Sequence, residues 1–166
     1  YSAKWCLEYT NETLKEIEDS NLDHYKKILN ETSLEKTEIY KWNKIINNIY
    51  LPYCKDLNVF IQNDGFLNKD LQPVTSIPID QRPINQHWSW DKILRSPYIK
   101  QADVLQGFYF FEDDFSKDEL LNNFNYYEQF TVHESSLSAC IHSILASKAN
   151  DLNKAYDYFV RASRLD

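Results

Sequence analysis

Apolar residues recur every three or four positions at both ends of the chain, and that rhythm lapses in between. Ala3, Cys6, Leu7, Leu14 and Ile17 fall on one helical face over residues 3–17. Asn21 and Asn30 bracket a polar stretch containing Tyr25, Ile28 and Leu29, which predicts one or two more helical turns. Thr32 and Glu35 have capping-box spacing. The helix they would open carries Ile39, Trp42, Ile45, Ile46 and Ile49, and Pro52 ends it. Residues 53–91 lack this period. Val59, Phe60 and Ile61 are β-prone, Asn63-Asp64-Gly65 is a turn signal, and prolines stand at 73, 78 and 83. A small β-hairpin within a long loop is expected there, closed by His87-Trp88-Ser89-Trp90.

From Tyr98 the helical spacing returns. Ile99, Ala102, Leu105 and Tyr109 form the first apolar face. Ser116 with Glu119 is a capping box for a helix carrying Leu120, Phe124 and Tyr127. Residues 136–148 predict another helix, with Ala139, Cys140, Ile144 and Ala146 on its apolar side. Asp151 caps a last one, with Leu152, Ala155, Tyr156, Phe159 and Ala162. Short joints at 112–116 and 148–151 make successive helices antiparallel neighbours, giving two helical hairpins in tandem. The expected fold class is mainly α, as in an α/α toroid.

Composition sharpens this picture. The 166 residues include two glycines and no methionine. Two glycines exclude a Gly-rich phosphate loop or dinucleotide fingerprint. A chain that starts at Tyr1 without methionine is expected to be processed or a piece of a longer one. The net charge of −7 speaks against nucleic-acid binding, which needs a concentrated basic face. No apolar run reaches membrane-span length, and no signal peptide opens the chain. Three widely spaced cysteines read as reduced thiols in a cytosolic protein, with Cys140 in the core. His24, His87, His133 and His142 have no metal-ligand spacing, so no metal is expected. Asp113-Asp114 and Glu16/Glu18 read as solvated faces.

Two stretches could carry chemistry. In Tyr98-Ile-Lys-Gln-Ala-Asp-Val104, Lys100, Gln101 and Asp103 crowd the start of an apolar helix. An ammonium beside an amide can grip sugar hydroxyls, although a polar helix start needs no ligand. In residues 126–138, Thr131, His133, Ser135 and Ser136 sit where a loop enters a helix. Hydroxyls and N–H groups there suit an anion, and they also suit plain N-cap duty.

These stretches closely resemble glycoside hydrolase family 65, the disaccharide phosphorylases. The matching runs are QRPINQHWSW (81–90), SPYIKQADVLQGFYFFEDDF (96–115), NFNYYEQFTVHESSLSACIHSILA (123–146) and AYDYFVRASRLD (155–166). YSAKWCLEY (1–9) resembles the helix after the family's catalytic loop. The resemblance implies a mainly α fold, part of an (α/α)6 barrel, in a cytoplasmic enzyme that is often a homodimer. It implies that residues 1–166 are a C-terminal portion of that catalytic domain. The N-terminal β-sandwich, the first part of the barrel and a small C-terminal β-sheet domain would lie outside it.

Inverting phosphorolysis is the implied activity. Maltose is the first choice of substrate; trehalose and kojibiose are alternatives. Inorganic phosphate is the co-substrate and no cofactor is implied. Carried over residue by residue, Lys100 and Gln101 match the family's sugar-binding Lys-Gln pair, and Glu128 a nearby polar position. His133, Ser135 and Ser136 match the His-x-Ser-Ser stretch assigned here to phosphate. The general-acid Glu is expected upstream of Tyr1, so no catalytic residue is expected within the chain and the isolated chain should be inactive. A non-catalytic helical binding module is the competing reading. Ala139 stands where the family usually has Pro, and Asn150 where it usually has Gly.

Overall fold

The computed structural model describes residues 1–164, apart from the side chain of Ser136; the last two residues of the 155–166 run lie outside the described residues. The chain divides into two compact units, residues 1–51 and 52–166.

The first unit is three helices: α1 (Ser2–Ser20), α2 (Leu22–Thr32) and α3 (Lys36–Asn48). Both α2 and α3 pack on α1. Asn21 starts α2 by accepting from the His24 N–H at 3.0 Å, which satisfies one of the donors a helix start leaves open. α2 runs 11 residues, longer than the one or two turns expected. The expected Thr32–Glu35 capping box is not formed. Thr32 is still helical and bonds back to the Ile28 carbonyl, while the box is Glu35 with Glu38. A left-handed Ser33 (φ 54°) ends α2 first and so moves the start of α3. Leu14 and Tyr25 are this unit's buried hydrophobics among the described residues; Ala3 and Cys6 of the predicted face are exposed.

The second unit opens with an antiparallel hairpin, β1 (Tyr53–Cys54) and β2 (Val59–Phe60), paired Tyr53 to Phe60 and Cys54 to Val59. The segment that follows is not structureless. It winds through three single 3₁₀ turns, then α4 (Ile84–His87) and α5 (Trp90–Arg95). Gly65, at φ +78°, occupies the left-handed turn signalled by Asn63-Asp64-Gly65.

Four helices complete the unit: α6 (Asp103–Phe110), α7 (Lys117–Glu128), α8 (Ser136–Lys148) and α9 (Leu152–Ala162). They form the two expected hairpins, α6 with α7 and α8 with α9. The Ser116–Glu119 capping box starts α7, and the Asp151 carboxylate accepts from the Lys154 N–H at the start of α9. Asn150, between α8 and α9, has φ 61°. Asn is the usual second choice to Gly at such a helix end.

The core gathers Phe66, Ile99, Leu105, Phe108, Phe124, Tyr127, Phe130 and Leu145. Hairpin and helices are tied by polar contacts inside it. The buried Asn123 amide accepts from the Phe60 N–H at 2.9 Å, and the Tyr127 hydroxyl donates to the Phe60 carbonyl at 2.5 Å.

Three predicted faces are rotated from expectation. In α6, Phe108 is buried and Tyr109 exposed. In α8, Cys140 is exposed; the packed side carries Ser138, Ala139, His142, Leu145 and Ala146. In α9, Ala155 packs on the core, whereas Leu152, Tyr156 and Phe159 are exposed. In α8 and α9 the cause is that helix–helix packing uses small and polar side chains, which a search for large apolar residues passes over; in α6 it is Phe108 that packs inward in place of Tyr109.

Candidate functional site

The two stretches singled out from the sequence run side by side. Ile99 and Thr131 form a parallel bridge. The Ile99 N–H donates to the Phe130 carbonyl and the Val132 N–H to the Ile99 carbonyl, both at 2.9 Å. Parallel register puts Lys100 and Gln101 level with Val132 and His133. Lys100 and Gln101 precede α6, which begins at Asp103, so they stand on a loop and not on a helix as expected. Lys100 is exposed and Gln101 half-buried. Neither side chain has a hydrogen-bond or ion-pair partner among the described residues. A shallow depression beside them is lined by Gln101, Asp103, Tyr127 and Thr131. Asp103 accepts from the Gln62 amide at 2.8 Å, and burial raises its carboxyl above the usual range.

The other side of the site is a closed polar network. Glu128 ends α7, where a negative charge opposes the helix dipole. Lys154 of α9 answers it, with Nζ 3.3 Å from Oε1. Burial alone would raise the Glu128 carboxyl. Hydrogen bonding from His133, the Lys154 charge and a hydrogen bond from Tyr158 outweigh that and hold it at about 2. Burial, then the Glu128 charge, pushes the Tyr158 phenol upward, so it keeps its proton.

The His133 ring is held at both nitrogens. Its Nε2 lies 2.9 Å from the Tyr158 hydroxyl oxygen and its Nδ1 2.9 Å from the Ser138 hydroxyl oxygen. Both nitrogens of this 8% exposed imidazole are thus occupied by protein groups. The backbone is held as well: His133 has φ 54°, a left-handed conformation that His tolerates better than most residues. Its carbonyl accepts from the Arg161 guanidinium.

Behind it lies His142, fully buried, whose Nδ1 is 2.9 Å from the Ser138 carbonyl and donates to it. Its Nε2 has no partner among the described residues. Burial, followed by the His133 charge, lowers this imidazole to about 4, so it is neutral.

Ser135 is the N-cap of α8, yet its hydroxyl makes no cap bond. Ser136 begins the helix, and its side chain lies outside the described residues. Glu134 turns away, accepting from the Ile84 N–H at 2.6 Å. The structure therefore brings Glu128, His133 and Ser135 onto adjoining segments, with Lys100 and Gln101 alongside. Ser138, His142, Lys154, Tyr158 and Arg161 were not singled out from the sequence. Their signal is spacing: 138 with 142, and 154 with 158 and 161, place polar groups on one face of each helix.

The whole chain, residues 1–166, matches the family described as glycosyl hydrolase family 65 central catalytic domain. It is 45% identical over 164 residues to maltose phosphorylase of Bacillus subtilis (strain 168), covering 99% of this chain and 21% of that protein. It is 40% identical to the α,α-trehalose phosphorylase of Thermoanaerobacter brockii, covering 100% of this chain and 21% of that protein. A solved chain described as a candidate kojibiose phosphorylase from the human microbiome superposes with a TM-score of 0.87 at 38% identity, covering 98% of this chain and 21% of that one. The chain thus spans about a fifth (21%) of the length of these relatives. The structural likeness agrees with a mainly α section of an (α/α)6 barrel.

Proposed function

Because the chain belongs to glycosyl hydrolase family 65, within its central catalytic domain, we propose that the protein carrying it splits a disaccharide with inorganic phosphate, and that the disaccharide is maltose. Phosphate attacks the anomeric carbon from the face opposite the glycosidic oxygen. That C–O bond breaks as the new one forms, and a carboxylic acid protonates the departing oxygen. The products are β-D-glucose 1-phosphate and D-glucose. Inverting hydrolases need a second carboxylate to activate water; phosphate is already an anionic nucleophile, so one acid suffices.

The family resemblance puts that acid in a loop ahead of the stretch matching Tyr1. The residues in hand supply positioning and charge stabilisation. Lys100 and Gln101 hold hydroxyls of the transferred glucosyl unit. Ser135 and Ser136, with the first N–H groups of α8, hold the phosphate; His133, matched by the family to the same stretch, has both ring nitrogens engaged and sets the turn that carries them. Glu128 borders the pocket as an acceptor, since a carboxyl at about 2 does not donate a proton near neutrality. One observation carries the reading: the parallel pairing of Ile99 with Thr131 sets an unpartnered Lys-Gln pair next to the entry of α8.

Maltose is preferred on the 45% identity to a maltose phosphorylase, against 40% to a trehalose phosphorylase. The test is phosphate-dependent glucose 1-phosphate release by the full-length protein from maltose, trehalose and kojibiose in parallel, with residues 1–166 alone as a second arm. Release from maltose by the full-length protein and none by the fragment is expected. Activity confined to trehalose or kojibiose would move the substrate, and turnover by the fragment would sink the assignment of the acid.

A further inference from the structure

The His133 ring is engaged on both sides by groups from two helices, Ser138 of α8 and Tyr158 of α9. His133 Nδ1 faces the Ser138 hydroxyl at 2.9 Å. His133 Nε2 faces the Tyr158 hydroxyl at 2.9 Å, whereas Glu128 Oε2 is 3.9 Å away. The phenol is therefore the nearer partner of Nε2. The ring planes of His133 and Tyr158 lie close, with centroids 4.6 Å apart.

We propose that Tyr158 is a positioning residue of the phosphate side of the site: it holds the His133 ring at Nε2 and thereby fixes the left-handed turn that presents Ser135 and the start of α8. The proposal rests on the phosphate reading given above.

Its physical content is an angle. The Ser138 and Tyr158 hydroxyls hold the two ring nitrogens from opposite sides, each at 2.9 Å, so the ring cannot turn without losing one of them. Arg161, one helical turn from Tyr158, holds the carbonyl of the same histidine. Helix α9 thus grips His133 at its ring and its backbone, two residues ahead of the α8 N-cap at Ser135. Removing the phenol oxygen leaves Nε2 with Glu128, 3.9 Å away. The ring then swings toward the carboxylate, and the turn carrying Ser135 shifts with it. The other charged and titratable groups facing the ring are Glu128 of α7, His142 of α8 and Lys154 and Arg161 of α9.

The test is Tyr158→Phe in the full-length protein, read by steady-state kinetics. The expected result is a KM for inorganic phosphate raised at least fivefold and a KM for the disaccharide within twofold of wild type. Ser135→Ala serves as the reference for the phosphate reading. If Ser135→Ala raises the phosphate KM and Tyr158→Phe lowers only thermal stability, Tyr158 is structural and the proposal falls while the reading stands. If Ser135→Ala leaves the phosphate KM unchanged, the reading falls and takes the proposal with it. Should Tyr158→Phe fail to fold, Ser138→Ala, which releases the other ring nitrogen, is read on the same axes, and an unchanged phosphate KM then overturns it.

Discussion

Where residues 99–101 run beside residues 131–133, two polar regions meet on opposite terms. Lys100 and Gln101 sit on an irregular loop, their side chains without partners, next to a shallow depression. Glu128, His133, Ser138, Lys154 and Tyr158 sit on three helices and the turn between two of them, with their polar atoms engaged by one another. Groups left open to solvent contribute little to folding and keep their bonding capacity for a ligand. Groups closed on one another stabilise the fold and determine where their neighbours point. On the proposed function, the open region receives the ligand and the closed one positions its neighbours.

Breaking the open region should produce the largest functional effect and almost no structural one. Lys100→Ala or Gln101→Ala in the full-length protein is expected to lower kcat/KM for the disaccharide about 100-fold, the scale of losing a preorganised charge or hydrogen-bond donor. Stability should change by less than about 0.5 kcal/mol, as for a surface substitution. Kinetics together with thermal melts decide it, and a large loss of stability with intact kcat/KM would reverse the assignment.

The closed region should answer to pH. The Glu128 carboxyl is held at about 2, below the ordinary 4.5, so its stabilisation is full above pH 4.5 and is lost as pH falls toward 2. His142 is held at about 4, below the ordinary 6.5, because the fold favours the neutral ring. Its stabilisation is full above pH 6.5 and drains as pH falls toward 4. Each shift corresponds to roughly 3 kcal/mol, and the two are coupled, so they do not add. Amide hydrogen exchange in α8 should therefore accelerate in two stages on acidification. Glu128→Gln should abolish the lower stage and spare the upper one; an unchanged profile would remove Glu128 as the source.

The smallest effect sits between α8 and α9. Asn150 has φ 61°, so Asn150→Ala should destabilise the hairpin by about 1 kcal/mol, whereas Asn150→Gly should be neutral or slightly stabilising. Equal melting points for the two variants would mean that the left-handed turn carries no strain.

Much of the fold was legible in the chain. The Ser116–Glu119 box, the Asp151 cap, the turn at Gly65 and the spacing of Leu120, Phe124 and Tyr127 are local signals, each enforced within a few residues. Faces of packed helices were less legible. Cys140 and Tyr109 turned outward, because α6 and α8 meet their neighbours through Phe108, Ser138 and His142. Within the candidate site, the Lys100-Gln101 and His133-Ser135-Ser136 runs stood out because unusual polar residues cluster in them. Ser138, Lys154 and Tyr158 did not, since a polar residue every fourth position on a helix is ordinary until another helix faces it.

The sequence by itself determined the helical hairpins with their Ser116 and Asp151 caps, the family, and the place of two unusually polar runs, since all of these are written in local spacing and residue identity. Only the tertiary structure decided that the runs lie in parallel register. It alone showed that His133 is held on both ring nitrogens, by Ser138 and Tyr158. Those facts depend on α7, α8 and α9 meeting in space, since the sequence places Tyr158 25 residues away from the histidine it holds.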